Sequence, residues 1–157
     1  METLKIQNDL SKIAEIKISY LPKFKAYERP QITSSMDGYK ALYSCWDKNT
    51  IALREEFKIL LLNYNNRVLG YFNVGTGGVS AVVVDAKLIF GVALKASASA
   101  IILAHSHPSG NLAPSPQDIT ITKSLIEVGK FLDLRILDHL ILTPDNGYYS
   151  FADDGLI

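Results

Sequence analysis

Cysteine is almost absent: Cys45 is the only one in 157 residues, which excludes an internal disulfide and any zinc site built from several thiolates. A charge excess of either sign is lacking too. Lys plus Arg and Asp plus Glu number 16 each, so the chain shows none of the overall basic excess of nucleic-acid binders, and only a local basic patch is left open. Long apolar runs are missing. Stretches such as residues 59–62 (ILLL) and 100–104 (AIILA) fall far short of the roughly 20 residues of a membrane span. Residues 1–11 (METLKIQNDLS) have neither the basic start nor the apolar centre of a secretion signal. No repeat, low-complexity tract or charge run stands out. These absences lead to the expectation of a soluble, cytoplasmic protein with no membrane partner. What is present, 48% apolar residues, is enough to build one sizeable core.

The hydrophobic pattern changes period along the chain. Residues 14–21 alternate, with Ala14, Ile16, Ile18 and Tyr20 set against Glu15, Lys17 and Ser19, which predicts a strand with one covered face. Ser34 or Ser35 is placed to cap a helix to about Cys45, where Tyr39, Leu42, Tyr43 and Trp46 recur at helical spacing. Residues 56–62 and 68–74 read as a hairpin around Asn63-Tyr64-Asn65-Asn66, with Gly75-Thr76-Gly77-Gly78 breaking or leaving the second strand. That glycine loop lacks the lysine and strand-to-helix context of a phosphate cradle. A strand is expected over residues 79–84, then a helix from Asp85 to about Ser97 with Leu88, Val92 and Ala96 on its buried face. Residues 101–107 have the look of a central strand covered on both sides. A helix from Ser115 to about Leu132 follows, with Ile121, Leu125, Val128 and Leu132 as its buried stripe, and a last hairpin pairs residues 135–142 with 148–151. The class is mixed α/β or α+β, a central β-sheet flanked by helices. Residues 1–35 read as an N-terminal extension and residues 36–157 as the domain.

The chemistry concentrates in His105-Ser106-His107-Pro108-Ser109-Gly110 and, after Asn111-Leu112-Ala113-Pro114, in Ser115-Pro116-Gln117-Asp118. Two histidines two apart on a strand point to one face, about 6.6 Å apart along the chain, so both imidazoles can converge on one ion. The chain then turns and opens a helix whose first turn holds Asp118, returning a carboxylate to the histidine face. Two neutral nitrogens and a carboxylate leave a fourth tetrahedral position for water, the arrangement of catalytic rather than structural zinc sites. Each half has an ordinary alternative: an H-x-H pair alone is a weak signal, and S-x-x-D resembles a capping box. Together they form a longer pattern, H-x-H, seven residues, S-x-x-D.

His105, His107, Ser115 and Asp118 in this spacing match the JAMM motif of the JAB/MPN metalloenzymes, and AHSHPSG, APSPQD, Leu137-Asp138-His139 and the closing Tyr148-Tyr149-Ser150-Phe151 with Gly155 resemble the RadC branch of that superfamily. The resemblance runs from about Met36 to Ile157. It implies a JAB/MPN, cytidine-deaminase-like architecture, Zn2+ held by His105, His107 and Asp118, and a hydrolase of the metalloprotease kind acting on a peptide or protein. It further implies a glutamate general base for a metal-activated water that attacks a carbonyl carbon. Glu55 fits that role best and Glu56 is its rival; strand alternation decides between them only once the face that meets the metal is known. Ser115 is implied as the oxyanion stabiliser, with helix capping as the competing account. The helix-hairpin-helix region ahead of this domain in full-length RadC proteins has no counterpart here, so a short form is expected. Where RadC proteins carry a run resembling HPRE, this chain has Val84-Asp85-Ala86-Lys87, which bears on the substrate groove.

Smaller expectations attach to single residues. Ser106 and Ser109 read first as turn formers and second as hydrogen-bond partners of the ligands. Asp138 and His139, being adjacent on a strand, face opposite ways, and His139 reads as structural; Cys45 reads as packing. Three other functions compete with peptide-bond hydrolysis. They are a DNA-repair accessory protein, with phosphate contacts left to scattered lysines such as Lys17, Lys23 and Lys25, a metal-dependent nuclease, and a scaffold without catalysis.

Overall fold

The computed structural model describes residues 13–15, 21–78, 83–145 and 147–157. Most of the strand expected over residues 14–21, and residues 79–82 of the one expected over 79–84, lie outside them. Val83 and Val84 are described and are not in a strand.

Five strands, β1 (Glu56–Leu62), β2 (Val68–Thr76), β3 (Ala100–Ser106), β4 (Arg135–Leu142) and β5 (Tyr148–Ser150), form one sheet in the order β2-β1-β3-β4-β5. The β1/β2, β1/β3 and β4/β5 pairs are antiparallel, whereas β3/β4 is parallel, so the sheet is mixed. Helices α1 (Ser35–Ser44), α2 (Ala86–Lys95) and α3 (Pro116–Phe131) cover it, and α3 makes the crossover that a parallel pair requires. The fold is therefore α+β with a mixed sheet flanked by helices.

The two faces of the sheet carry separate cores, because alternate residues of each strand point opposite ways. Leu60 and Leu62 of β1, Ala100, Ile102 and Ala104 of β3, and Leu140 and Leu142 of β4 pack with Tyr39 and Leu42 of α1. Phe57, Ile59 and Leu61 of β1 and Ile101 and Leu103 of β3 pack instead with Ile89, Phe90 and Ala93 of α2 and Leu125 of α3. Every residue of β1 and of β3 is buried, as expected for central strands covered on both sides. At about 1.5–3 kcal/mol for each fully buried large apolar side chain, these two layers dominate the stability.

Local sequence sets the ends of the elements. Ser34 caps α1 by accepting from Asp37 N at 3.2 Å, and Asp85 caps α2 by accepting from Lys87 N at 2.9 Å. Asn66, with φ of 55°, sits in the turn of the β1–β2 hairpin, a left-handed conformation that asparagine tolerates. Ahead of the expected boundary at residue 36, Pro30 O accepts from Val68 N at 2.9 Å and Ile32 joins the α1-side core.

Three sequence expectations are corrected. Gly75 and Thr76 remain in β2, because the ladder continues past them through Gly77 N to Glu55 O at 2.8 Å and Glu55 N to Gly78 O at 3.0 Å. The buried face of α2 is Ile89, Phe90 and Ala93, with Leu88 exposed and Val92 and Ala96 only flanking it. The buried face of α3 is Thr122, Leu125 and Gly129, not a stripe through Val128, which is exposed. A Cβ at Gly129 would stand 2.4 Å from Leu134 O, so the helix approaches the turn into β4 at a place where only glycine fits. Among the described residues no helix is long and apolar enough to cross a membrane.

Candidate metal centre

β3, the middle strand, ends at the site. His105 is its last but one residue, and its side chain lies on the α2/α3 face, opposite Phe57 of β1. His107 follows the strand rather than ending it, yet the chain stays extended enough for His107 N to donate to Leu142 O at 2.8 Å. The turn brings Pro116 to the first position of α3, where its missing N–H leaves nothing unsatisfied. Ser115 Oγ accepts from Asp118 N at 3.1 Å while Asp118 Oδ2 accepts from Ser115 N at 2.7 Å, a complete capping box that aims the carboxylate at the histidines.

The spacing of the ligand atoms fits one ion. Two atoms each about 2.0–2.1 Å from a tetrahedral zinc stand roughly 3.3 Å apart. Here Nε2 of His105 lies 3.0 Å from Nε2 of His107 and 3.3 Å from Asp118 Oδ1, and His107 Nε2 lies 3.7 Å from Asp118 Oδ2. The other ring nitrogens are engaged elsewhere. His107 Nδ1 donates to Asn111 O at 2.6 Å, and His105 Nδ1 is 2.8 Å from His139 Nε2. Among the described residues, His105, His107 and Asp118 are the one group of three such side chains able to hold a metal ion.

Electrostatics agree with the geometry. Burial pushes the Asp118 carboxyl up, but hydrogen bonds from His105, His107 and Ser115 together with the charge of His105 outweigh it and hold the group far below the usual carboxylate range. The hydrogen bond to Asp118 raises the His107 pKa above its ordinary value against the opposing effect of burial, with help from Asn111 O and the charges of Asp118 and Glu55.

Glu55 and Glu56 separate cleanly. Because Phe57 pairs with His105, Glu55 shares the histidine face and Glu56 takes the other. Glu55 is half-buried, and burial raises its pKa, partly offset by the His105 and His107 rings. Glu56 bonds Lys58 Nζ at 2.7 Å and Thr50 Oγ1 at 3.0 Å, with Arg54 Nε at 3.5 Å, and is turned away from the histidines. Its pKa is lowered, burial being outweighed by those partners.

A cavity of about 540 Å³ opens beside these groups, lined by Glu55, His105, His107, Ser115 and Asp118. Phe57, Val83, Val84 and Ile121 give it apolar walls, and Gln117, Thr120 and Ser124 add uncharged polar groups from α3. No lysine or arginine is among the described residues that line it. Ser106 points away: its Oγ accepts from Glu56 N at 3.0 Å and donates to Arg54 O at 3.4 Å, clipping β1 to β3. Ser109 Oγ accepts from Asn111 N at 3.3 Å within its turn. Asp138 lies on the opposite face from His139 and accepts from Ser150 Oγ and Ala152 N at 2.7 and 3.0 Å. Half-buried Cys45 donates to Ala41 O at 3.3 Å. His139 is the residue whose place the sequence hid, since nothing in Leu137-Asp138-His139 says which face meets the ligands; it lies directly behind His105.

Comparison with known proteins follows the same lines. The RadC-like JAB domain matches residues 32–156. A UPF0758 protein of Flavobacterium johnsoniae is 40% identical over 126 residues, covering 80% of this chain and 53% of the relative. Another, of Porphyromonas gingivalis, is 39% identical over 137 residues, 87% of this chain and 59% of the relative. A third, of Alkaliphilus metalliredigens, is 45% identical over 104 residues, 66% and 44% of the two chains. The chain thus spans about half the length of these curated relatives.

Proposed function

The chain belongs to the RadC-like JAB domain family, and from that premise we propose that it is a zinc-dependent hydrolase of the JAMM type that cleaves a peptide or isopeptide bond. In this reading His105, His107 and Asp118 hold the ion, Glu55 is the general base, and Ser115 donates to the oxyanion. A zinc ion held there supplies Lewis acidity towards a carbonyl and acidifies water. Glu55, on the cavity side and with its pKa raised by burial, takes a proton from the attacking water and returns it to the leaving amine. Ser115 keeps a hydroxyl proton free, because its Oγ serves the helix only as an acceptor. That proton is available to the negative charge that develops on the carbonyl oxygen.

The observation that carries the reading is the convergence of Glu55 and Ser115 with the three donors on one cavity that no lysine or arginine lines among the described residues. With a zinc ion held there its two positive charges only offset the carboxylates of Glu55 and Asp118, and no lysine or arginine among the described lining residues adds the further positive charge that a phosphodiester would favour. An uncharged acyl group needs no such surplus. In this reading the catalytic domain begins at about residue 32, where the family match starts and Ile32 joins the core, rather than at 36, and the unpaired Cys45 suits the reducing cytoplasm.

The test is a screen of peptide, isopeptide and nucleic-acid bonds with wild-type protein beside Glu55→Gln, together with metal analysis of both. One zinc per chain in both proteins, with acyl-bond turnover only in the wild type, is the expected result. Cleavage confined to nucleic acid, or turnover undiminished by Glu55→Gln, would overturn the assignment.

A further inference from the structure

Behind the candidate ligands lies a hydrogen-bonded chain that the hydrolytic reading does not use. His139 of β4 is wholly buried, stacked on Phe151 with ring centroids 4.8 Å apart and tilted against Phe57 at 5.5 Å. Its two nitrogens reach two different elements. Nε2 is 2.8 Å from His105 Nδ1 on β3, and Nδ1 is 2.6 Å from Thr122 Oγ1 on α3. Thr122 Oγ1 in turn donates to Asp118 O at 2.6 Å. The chain therefore begins on one candidate ligand residue and ends on the backbone of another.

Counting hydrogens gives it a direction. A threonine hydroxyl has one proton, and here it goes to Asp118 O, so Thr122 Oγ1 can only accept from His139. His139 Nδ1 must then carry the ring proton. The neutral ring has its other nitrogen, Nε2, bare, and that nitrogen can only accept, so the proton between the two rings sits on His105 Nδ1. A neutral His105 protonated at Nδ1 has its lone pair at Nε2, the atom that faces His107 Nε2 and Asp118 Oδ1. No other arrangement of protons satisfies all three hydrogen bonds with neutral rings.

We infer that His139 and Thr122 are positioning residues that fix His105 in the Nδ1-protonated tautomer and tie β3 to the first turns of α3, so that His105 and Asp118 meet the metal preset. This rests on the metal-site reading but not on the hydrolytic one. Outer partners of ligating histidines commonly fix the tautomer in this way, and their loss typically weakens metal binding ten- to hundredfold. A histidine serving only to fill the core would need partners for its nitrogens but would not need them to be a ligand histidine and a hydroxyl spent on the other ligand's carbonyl.

The test uses the full chain stripped of metal. Zinc affinity is measured by competition with a chromophoric chelator for wild type, Thr122→Val and Thr122→Ser, and the protonated nitrogen of His139 is read from 15N imidazole shifts in the metal-free wild type. Thr122→Val should bind zinc ten- to hundredfold more weakly, Thr122→Ser should recover the wild-type affinity, and the His139 proton should be on Nδ1. Wild-type affinity in Thr122→Val, or a proton on Nε2 of His139, overturns the inference, and the shift measurement stands even if the valine variant does not fold. Failure of the wild type to take up zinc at all is a different result: it removes the metal reading and this inference with it.

Discussion

Ser115 caps α3, and the proposed reaction gives it a second role that a graded substitution can separate from the first. Its Oγ accepts from Asp118 N at 3.1 Å, which is helix capping, and the hydroxyl proton left over is the oxyanion donor of the proposed reaction. Ser115→Ala removes both. Loss of the cap costs about 1 kcal/mol, which for a chain of 157 residues lowers the melting temperature by roughly 2–4 °C. Ser115→Gly also removes both groups, but at a cap position glycine costs only a few tenths of a kcal/mol, or about 1 °C. Loss of one oxyanion donor costs about 10²–10³ in kcat whichever residue replaces the serine. The metal should be retained in either variant, because the bond that orients the Asp118 carboxylate comes from the backbone N–H of residue 115 at 2.7 Å, which substitution leaves in place.

The measurements are thermal unfolding in the presence of a chelator, zinc content, and turnover of whichever acyl substrate the screen identifies. Alanine and glycine variants should differ in stability and agree in their loss of turnover. A glycine variant turning over within about threefold of wild type would show that the hydroxyl contributes none of the 10²–10³ expected of an oxyanion donor. Turnover that tracked the melting temperature across the two variants would assign the serine to the helix alone. An alanine variant that melted with the wild type would remove the capping role instead.

Three more outcomes follow from the site and its surroundings. Lys58→Met leaves Glu56 buried without its 2.7 Å partner and should destabilise by about 3 kcal/mol, the low end for breaking a buried pair because Arg54 and Thr50 remain; chemical denaturation measures the loss, and zinc content should not change. Burial raises the Glu55 pKa above 4.5 in the folded protein, so the proton it binds favours folding below 4.5 and that contribution is lost as pH rises through the folded pKa. Metal-free Glu55→Gln should therefore melt higher than wild type at neutral pH and lose the advantage in acid, and equal melting at both pH values would contradict the burial argument. His107 must be neutral to bind a metal and its pKa lies above 6.5, so zinc affinity should be level well above that pH and fall as pH drops through it, by roughly tenfold per unit for each proton displaced; a flat titration would remove His107 from the ligand set.

What the sequence made legible was local. The two histidines and the capping box are set by spacings of two and three residues, and the structure joins them through a single turn. The strands read well because alternation or continuous burial marks them directly. The helix faces read less well. In α3 the residues that meet the sheet include Thr122 and Gly129, neither of which counts as apolar in a periodicity argument. Thr122 is buried because His139 needs its hydroxyl, and Gly129 because Leu134 O lies where a Cβ would be. Both reasons lie outside the helix, in β4 and the turn leading to it, where a count of apolar positions along the helix does not look. Glu55 against Glu56 was undecidable for a similar cause: the answer lies in the pairing of Phe57 with His105, which no local pattern contains.

That pairing is held by the residues of each motif that face away from the metal. A slip of one residue in β1 would send Glu56 to the cavity and turn Glu55 to the α1 side, since strand residues alternate between faces. Against such a slip, Glu56 is anchored among Lys58, Thr50 and Arg54, and Lys58 Nζ lies 4.9 Å from the centre of the Trp46 ring. Ser106, between the two histidines, accepts from Glu56 N and donates to Arg54 O, fastening the end of β3 to the start of β1. Ser106 and Glu56 thus share one face as His105 and Glu55 share the other. The polar groups on the α1 side do not line the cavity, yet their contacts between β1 and its surroundings favour the register in which Glu55 does. A slip would carry Glu56 and Lys58 to the other face together, since both belong to β1, so the resistance to it comes from their contacts outside the strand, Glu56 with Thr50 and Lys58 with Trp46, and from the Ser106 clip.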